Sequence, residues 1–329
     1  MASEKPLVLV VGATGHTGQS IVKGLLDSGN FRVAALVRPS SVSKPATESL
    51  RASGVEIRIG DITDGVEKLK EILTGVDVLI SAVVAWAVLQ QKDIIRAAKE
   101  VGVKRVVPCD FATPGKKGVR VLNDEKLEIR EFIKELGVPH TFIDVGWWMQ
   151  LSLPLPSRSA VPAAFKTMTH LLHGTGTSRM LVTDLRHIGT YVARIVADPR
   201  TLNHAVMVWE DEVTELGAHE LGERLSGEAD AFKAQRVFVS AEDIRKFAAE
   251  AKAELAKDPN SFAGHAKESL NEYTYSIHIL GENTLENAKR LGYLDARELY
   301  PDIPEHPLEE FAKDFYSLEE PGEVYLSTN

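Results

Sequence analysis

Cysteine is almost missing from this 329-residue chain, which has one, Cys109. A single thiol excludes an intramolecular disulfide framework and any metal site built on paired cysteines. Basic residues are outnumbered, 38 Lys and Arg against 47 Asp and Glu, and the formal net charge is −9. That balance gives nucleic acid no electrostatic purchase as a main ligand. No apolar run reaches the length that spans a bilayer, so no membrane partner is expected. Residues 1–6 lack the basic and apolar regions of a signal peptide, and a cytoplasmic location is the expectation. Aromatic residues are only 7% of the chain, but hydrophobic residues reach 44%, enough at this length for one large domain and a smaller lobe.

The most informative segment lies near the N-terminus. Leu7 through Val11 form an apolar run, followed without a break by Gly12, Gly15 and Gly18. A strand covered on both faces, a glycine turn and a helix start form a dinucleotide-binding element. Gly12 permits the turn, Gly15 lets backbone approach a pyrophosphate, and Gly18 allows close helix–strand packing. Thr14, His16 and Thr17 stand between them, and a helix over residues 16–26 would aim free N–H groups at the phosphates. The alternative is an ordinary strand-to-helix turn in a sugar- or effector-binding α/β protein. A second strand over residues 31–37, at the βαβ distance, favours the dinucleotide. Behind it, where an NAD site offers a carboxylate to the ribose, come Arg38, Ser40 and Lys44. A guanidinium pairs with a 2′-phosphate, so the expected cofactor is NADP(H). Without that ligand, Arg38 is a surface loop residue.

Further strands are expected over residues 55–60, 76–82, 105–108 and 140–144, alternating with helices near 46–53, 67–73, 89–101 and 124–136. This alternation predicts an α/β fold, a Rossmann doubly wound parallel sheet. Beyond Val145 the pattern changes, and residues 151–162, rich in Pro and Ser, read as a loop and lid. Strands over 178–182 and 205–209 follow, with a helix over 184–197 capped by Asp184 and helices over 213–225, 241–256, 285–291 and 307–316. The expected division is an NADP-binding domain over residues 1–150 and a smaller C-terminal α/β substrate-binding lobe and lid over 151–329, with the chain free to re-enter the first sheet.

Ligands sit outside the carboxyl ends of parallel strands, which places Ser81 and Ala82 beside the cofactor. Phe111, after the fifth strand, is placed against the nicotinamide. Asp61, after the third, is either an adenine contact or a turn-forming residue. Trp86, Gly146, Trp147, Trp148 and Met149 follow strands four and six and suit the rim of a pocket for a flat ligand, or else core packing between lobes. The Tyr-x-x-x-Lys of typical short-chain dehydrogenases is missing, since Tyr191 is followed four positions on by Ile195. His170 and His173 share a helical spacing, but no carboxylate or third histidine stands nearby, and no metal is expected. Cys109 has no base beside it in sequence and reads as a small buried hydrophobe.

The order of motifs resembles that of the NmrA-like, isoflavone-reductase-like branch of atypical short-chain dehydrogenases, which includes phenylcoumaran benzylic ether and pinoresinol-lariciresinol reductases. The residues are Gly12-x-x-Gly15-x-x-Gly18, Val76-Asp77-Val78-Leu79-Ile80-Ser81, Ala97-Ala98-Lys99, Gly102-Val103-Lys104-Arg105, Pro108-Cys109-Asp110-Phe111, Lys126-x-x-x-Arg130, Gly137-Val138-Pro139 and Glu298-Leu299-Tyr300-Pro301-Asp302-Ile303. The resemblance implies a lysine general acid/base after the fifth strand, matched by Lys126. Arg130 lies one turn on, so either could reach cofactor or substrate. Burial and cationic neighbours would have to lower the lysine pKa toward neutrality. The alternative is a solvated basic pair. The chain departs from the plant pattern at Cys109-Asp110-Phe111-Ala112 and at Val145-Gly146-Trp147-Trp148, and there is more similar to fungal or microbial members. The implied activity is NADPH-dependent reduction of a small aromatic or phenolic substrate. An NADP(H)-sensing regulator that binds a protein partner, and an isomerase or cyclase on the same scaffold, are the alternatives. The oligomeric state is left open, a homodimer included.

Overall fold

A computed structural model describes residues 4–259, 261–322 and 324. Residues 1–3 and 325–329, the outer ends of the two expected domains, lie outside the described residues. The first half runs β1 (Leu7–Val11), α1 (His16–Ser28), β2 (Arg32–Val37), α2 (Pro45–Ala52), β3 (Glu56–Ile59), α3 (Val66–Ile72), β4 (Val78–Ser81), α4 (Lys92–Val101), β5 (Arg105–Val107), α5 (Val121–Leu136) and β6 (Thr141–Asp144). The second half continues with β7 (Trp147–Trp148), α6 (Ala163–Met168), β8 (Leu171–His173), β9 (Arg179–Thr183), α7 (Ile188–Ala197), β10 (His204–Met207), β11 (Asp211–Thr214), α8 (Glu215–Leu225), α9 (Ala229–Gln235), β12 (Val237–Val239) and α10 (Ala241–Lys257). It closes with α11 (Phe262–Thr274), α12 (Leu285–Arg290), β13 (Tyr293–Asp295), α13 (Ala296–Leu299) and α14 (Leu308–Ser317).

Every residue of β1 is buried, as its apolar run demands, and β2 and β4 flank it in parallel. The sheet order is β3-β2-β1-β4-β5. A bridge between Val106 and His140 carries it to β6, beside which β10 and then β13 lie parallel. Strands from the second half of the chain therefore extend the sheet of the first. Successive side chains of β1 face opposite sides. Val8 and Val10 pack with Ile21, Leu25, Ile188 and Val192 of α1 and α7, whereas Leu7 and Leu9 pack with Leu69, Ile94 and Ile129 of α3, α4 and α5. Helices on both faces are what a buried parallel sheet requires. Helices α1 and α7 nearly touch at Gly24 and Gly189, where a Cβ on either would overlap the other's backbone.

The remaining elements form a lobe with its own core, built on Met149, Leu153, Leu155, Val161, Phe232, Phe311 and Phe315. Four expectations change here. Residues 151–162 are not an open lid, since Leu153, Leu155 and Val161 are buried in that core. Met149 is fully buried with them and forms no pocket rim. The helix expected from Asp184 begins at Ile188, because Asp184 turns its carboxylate to the Arg186 N–H and guanidinium and to Gln150. Similarly, residues 211–214 are a strand paired antiparallel with β9, and Thr214 caps α8 by accepting from the Gly217 N–H at 3.0 Å. Among the described residues no helix is long and apolar enough to cross a membrane.

Candidate active site

The glycine turn leaves β1 with Gly12 at φ 76°, and a Cβ there would overlap the Ala82 carbonyl. A Cβ on Gly18 would overlap the Gly12 carbonyl, so both glycines are fixed by the protein's own packing. Gly15 differs: an added Cβ would meet only the Gly12 carbonyl, at an ordinary 3.5 Å. Nothing in the chain demands glycine there, which leaves the space for a ligand. Gly15 also caps α1 without a side-chain hydrogen bond, and no acidic residue stands in the first turn. The helix end is therefore electrostatically open to an anion. Thr14, His16 and Thr17 are half-buried around it.

Arg38, Ser40 and Lys44 are exposed at the carboxyl end of β2, and neither cation forms an ion pair with a described residue. Ser81 ends β4 opposite Val11 with its hydroxyl buried and unpartnered, while the Ala82 N–H donates to the Val11 carbonyl at 2.9 Å. These groups share the carboxyl ends of β1, β2 and β4, and an open cradle, a bare helix end and two cations fit a phosphorylated dinucleotide. Asp61 is occupied locally, its carboxylate accepting from the Thr63 N–H and hydroxyl at 3.0 and 2.8 Å in a turn.

After β5 the backbone reaches Phe111 with φ 39°, a conformation rare for a residue with a side chain and one that stores strain. Two hydrogen bonds hold it: the Phe111 N–H donates to the Ile143 carbonyl at 2.8 Å, and the Ala112 N–H to the Asp144 carboxylate at 3.2 Å. Phe111, Gly146, Trp147, Trp148 and Tyr273 line a cavity of about 140 Å³. Gly146 has φ 67° and lies against the Leu181 carbonyl, which lets β7 turn beside the cavity. Trp86 does not join it. It sits 64% exposed on a short 3-10 turn, Ala85–Ala87, outside the cavity lining.

Lys126 and Arg130 are both buried on α5, so they are not a solvated pair. The Lys126 ammonium donates to the Asp110 carbonyl at 2.6 Å, next to Phe111. Arg130 is consumed by structure: it bridges the carboxylates of Asp110 at 3.1 Å and Asp144 at 2.9 Å and donates to the Tyr293 hydroxyl at 2.6 Å. Neither Arg130 nor Lys126 is among the residues that line the cavity, and Lys126 stands next to it through its bond to the Asp110 carbonyl. Burial pulls the Lys126 pKa down, but Tyr273, Cys109, Asp110 and Asp144 outweigh it and hold it above the usual lysine range. The expected lowering toward neutrality fails because the neighbourhood is acidic rather than cationic. Burial pushes Asp110 up to about 6, against Arg130 and with Asp144 adding to the rise. Asp144 stays below the usual carboxylate range, since Arg130, the Tyr293 hydroxyl and Lys126 outweigh its burial. Burial raises the Cys109 thiol to about 11, and its sulfur lies 3.1 Å from the Val83 carbonyl.

Two groups of residues escaped the sequence reading. Tyr273, from α11, faces Trp147 at 5.8 Å between ring centroids, and the buried Arg120 guanidinium lies 4.5 Å from its ring. Beyond Trp147 and Leu151, which line both spaces, a second cavity of about 670 Å³ opens under α6, α10 and α11. On its wall Glu215 Oε1 lies 2.7 Å from His173 Nδ1 and 3.2 Å from His278 Nε2. The carboxylate and further histidine missing around His173 in sequence thus come from α8 and a π-helical turn, Tyr275–Ile279. The three ligand atoms lie within 4.8 Å of one another, and of these contacts the His173–Glu215 one is a hydrogen bond. His170 stands apart, its Nε2 3.1 Å from the Leu155 carbonyl and its ring against Phe232.

A family model, the NmrA-like family, matches residues 4–312. The chain is 37% identical over 314 residues to the asnovolin J 5′,6′-dehydrogenase of Aspergillus novofumigatus (strain IBT 16806), covering 93% of this chain and 94% of that one. It is 28% identical to an isoflavone reductase-like protein of Olea europaea, over 95% and 99% of the two chains. Among solved structures, the binary complex of leucoanthocyanidin reductase with NADPH from Vitis vinifera shares the fold, with a TM-score of 0.75 over 95% of this chain and 100% of that one, at 22% identity. Parallel sheet, glycine turn and basic segment together define a Rossmann-type fold with a candidate dinucleotide site. The chain belongs to the NmrA-like family.

Proposed function

We propose that the protein reduces an aromatic or phenolic substrate, with Lys126 handling the proton. The observation that carries this reading is the buried Lys126 ammonium, held 2.6 Å from the Asp110 carbonyl beside a cavity walled by Phe111, Trp147, Trp148 and Tyr273. NADPH supplies a hydride when bound. The Gly12–Gly18 turn holds its pyrophosphate, and Arg38, Ser40 and Lys44 meet its 2′-phosphate. Phe111, Trp147 and Trp148 offer flat apolar walls that orient an aromatic ring and exclude water.

A lysine held above its ordinary range is a cation at neutral pH. Lys126 therefore begins as acid, not base. It stabilises negative charge growing on a substrate oxygen conjugated with the reduced carbon and then gives that oxygen its proton. A purely regulatory protein would have no use for an unpaired Lys126, and here the two neighbouring carboxylates are bridged by Arg130 rather than by the lysine. An acidic surface and a single buried thiol accord with work in the reducing cytosol.

The test is Lys126→Met against phenolic benzylic ethers, isoflavones, aromatic enones and quinones, followed at the NADPH absorbance. The expected result is a loss of about 10²–10⁴ in kcat with NADPH affinity kept within a few fold. Turnover at the normal rate overturns the assignment. If NADPH binds tightly and nothing in the panel is reduced, the regulatory reading takes its place, and capture of a protein partner is the next measurement.

A further inference from the structure

The large cavity carries a polar cluster that the reduction proposed above does not use. Its wall includes His173, His219, His278 and Glu215, set among Phe165, Met168 and Phe247, with Glu250, Glu254 and Lys267 lining it as well. Glu215 accepts from the His173 backbone N–H at 2.7 Å as well as facing both ring nitrogens. An ionised carboxylate 2.7 Å from Nδ1 requires the hydrogen there, so the neutral form of His173 carries its lone pair on Nε2. His219 turns Nε2–H to the Thr169 carbonyl at 3.2 Å, and His278 Nε2 lies 3.2 Å from Glu215 Oε1. Nδ1 of both rings is buried and without a hydrogen-bond partner. Burial holds His219 and His278 down at about 4, so both are neutral near pH 7. The cluster thus presents two neutral imidazoles, a third with Nδ1–H already given to Glu215, and the Glu215 carboxylate itself. Such a wall accepts hydrogen bonds and repels anions.

We propose that His173, His278 and Glu215, with His219 beside them, form an anchoring site that binds a hydroxyl or phenol group on the far end of an extended, otherwise apolar substrate. It rests on the reduction reading only for the position of the other end, which lies in the small cavity past Trp147. A volume of about 670 Å³ is that of a site for a multi-ring ligand rather than a single phenol. His278 is placed by the π-helical turn, a distortion that recurs at functional sites.

The test uses 1-hydroxypyrene and pyrene as paired fluorescent probes on the full-length, NADPH-loaded protein. The expected result is tighter binding of 1-hydroxypyrene by about tenfold, the worth of one buried hydrogen bond. That ratio should fall to within about twofold of unity in His173→Phe, with pyrene binding unchanged, and should survive in Lys126→Met. If His173→Phe does not fold, Glu215→Gln carries the test, since it keeps the shape of the side chain and removes the charge that orients His173. Absence of binding, a ratio near unity in the unaltered protein, or a ratio lost in Lys126→Met but kept in His173→Phe overturns the anchor. Failure of the reduction reading is distinguishable, because it appears as normal turnover in Lys126→Met whatever the probes do.

Discussion

Two cations four residues apart illustrate how burial and neighbours assign roles that residue type does not. Lys126 and Arg130 share a helix face, but the guanidinium fork matches two carboxylates and is spent on them, which leaves the lysine free to bind a lone carbonyl. Arg38 is the opposite case, a cation exposed at the edge of the sheet with no ion pair to a described residue. Its expected role is measurable as cofactor preference. A charge-assisted contact to the 2′-phosphate contributes about 1.5–3 kcal/mol, so NADPH should bind about ten- to a hundredfold tighter than NADH. Titration of Arg38→Ala with both cofactors should show most of that preference gone and NADH affinity little changed. Equal dissociation constants in the unaltered protein would show that the segment behind β2 does not read the phosphate.

Elements repeat the lesson at the next scale. Strand and helix order through β6 was legible, because apolar runs and helix stops are local signals. The expected strand over residues 31–37 is β2 to within one residue, and the helix over 124–136 is α5 with one more turn at its start. Pairing was legible only in outline: re-entry of the chain into the first sheet was allowed for, but that β10 and β13 are the strands that do so is a fact about distant residues. The same holds for the active site. Glycine spacing is local and could be read, whereas Tyr273, Glu215 and His278 reach their cavities from helices with no motif of their own. The α1–α7 contact is another non-local feature. A Cβ at residue 189 would overlap the Ser20 carbonyl, and backbone on both sides has no room to yield. Gly189→Ala should therefore cost about 1–3 kcal/mol by overpacking, despite alanine's better helix propensity. Urea unfolding checks this, and a midpoint equal to or above that of the unaltered protein would mean that the helices move apart freely.

For the whole molecule, the buried histidines couple stability to pH. His219 and His278, held down at about 4, remain neutral in the folded chain while unfolded histidine protonates near pH 6.5. Between those values the unfolded state binds more protons, so stability falls as pH falls. At pH 5 each histidine accounts for a loss of about 2 kcal/mol relative to pH 7. Glu215, below its ordinary range, adds a further loss at lower pH. Asp110 works the other way: raised to about 6, it gains stability on acidification, by about 1 kcal/mol at pH 5. His187, raised by Glu210, acts in the same sense as Asp110. The histidines outweigh these, and the urea midpoint should drop between pH 7 and pH 5. A midpoint unchanged or higher at pH 5 would mean that neither histidine is held neutral.

The cofactor site makes the whole molecule's stability depend on ligand as well. A ligand that binds only the folded chain stabilises it by RT ln(1 + [L]/Kd), about 2.7 kcal/mol at a hundredfold excess over Kd. For a chain of this size that is a rise of a few degrees in the melting temperature. Gly15 is the residue through which to test where the ligand acts, because a side chain there meets no part of the protein closer than 3.5 Å. Gly15→Val should therefore fold with a melting temperature near that of the unaltered chain in the absence of NADPH. It should lose the rise on addition of NADPH, since its methyl groups occupy the space the pyrophosphate needs. Gly12 and Gly18 cannot serve as the probe, because substitution there disrupts packing with or without ligand. A folded Gly15→Val that keeps the full NADPH shift would place the phosphates elsewhere and remove the structural basis for NADP(H) at the β1–α1 turn.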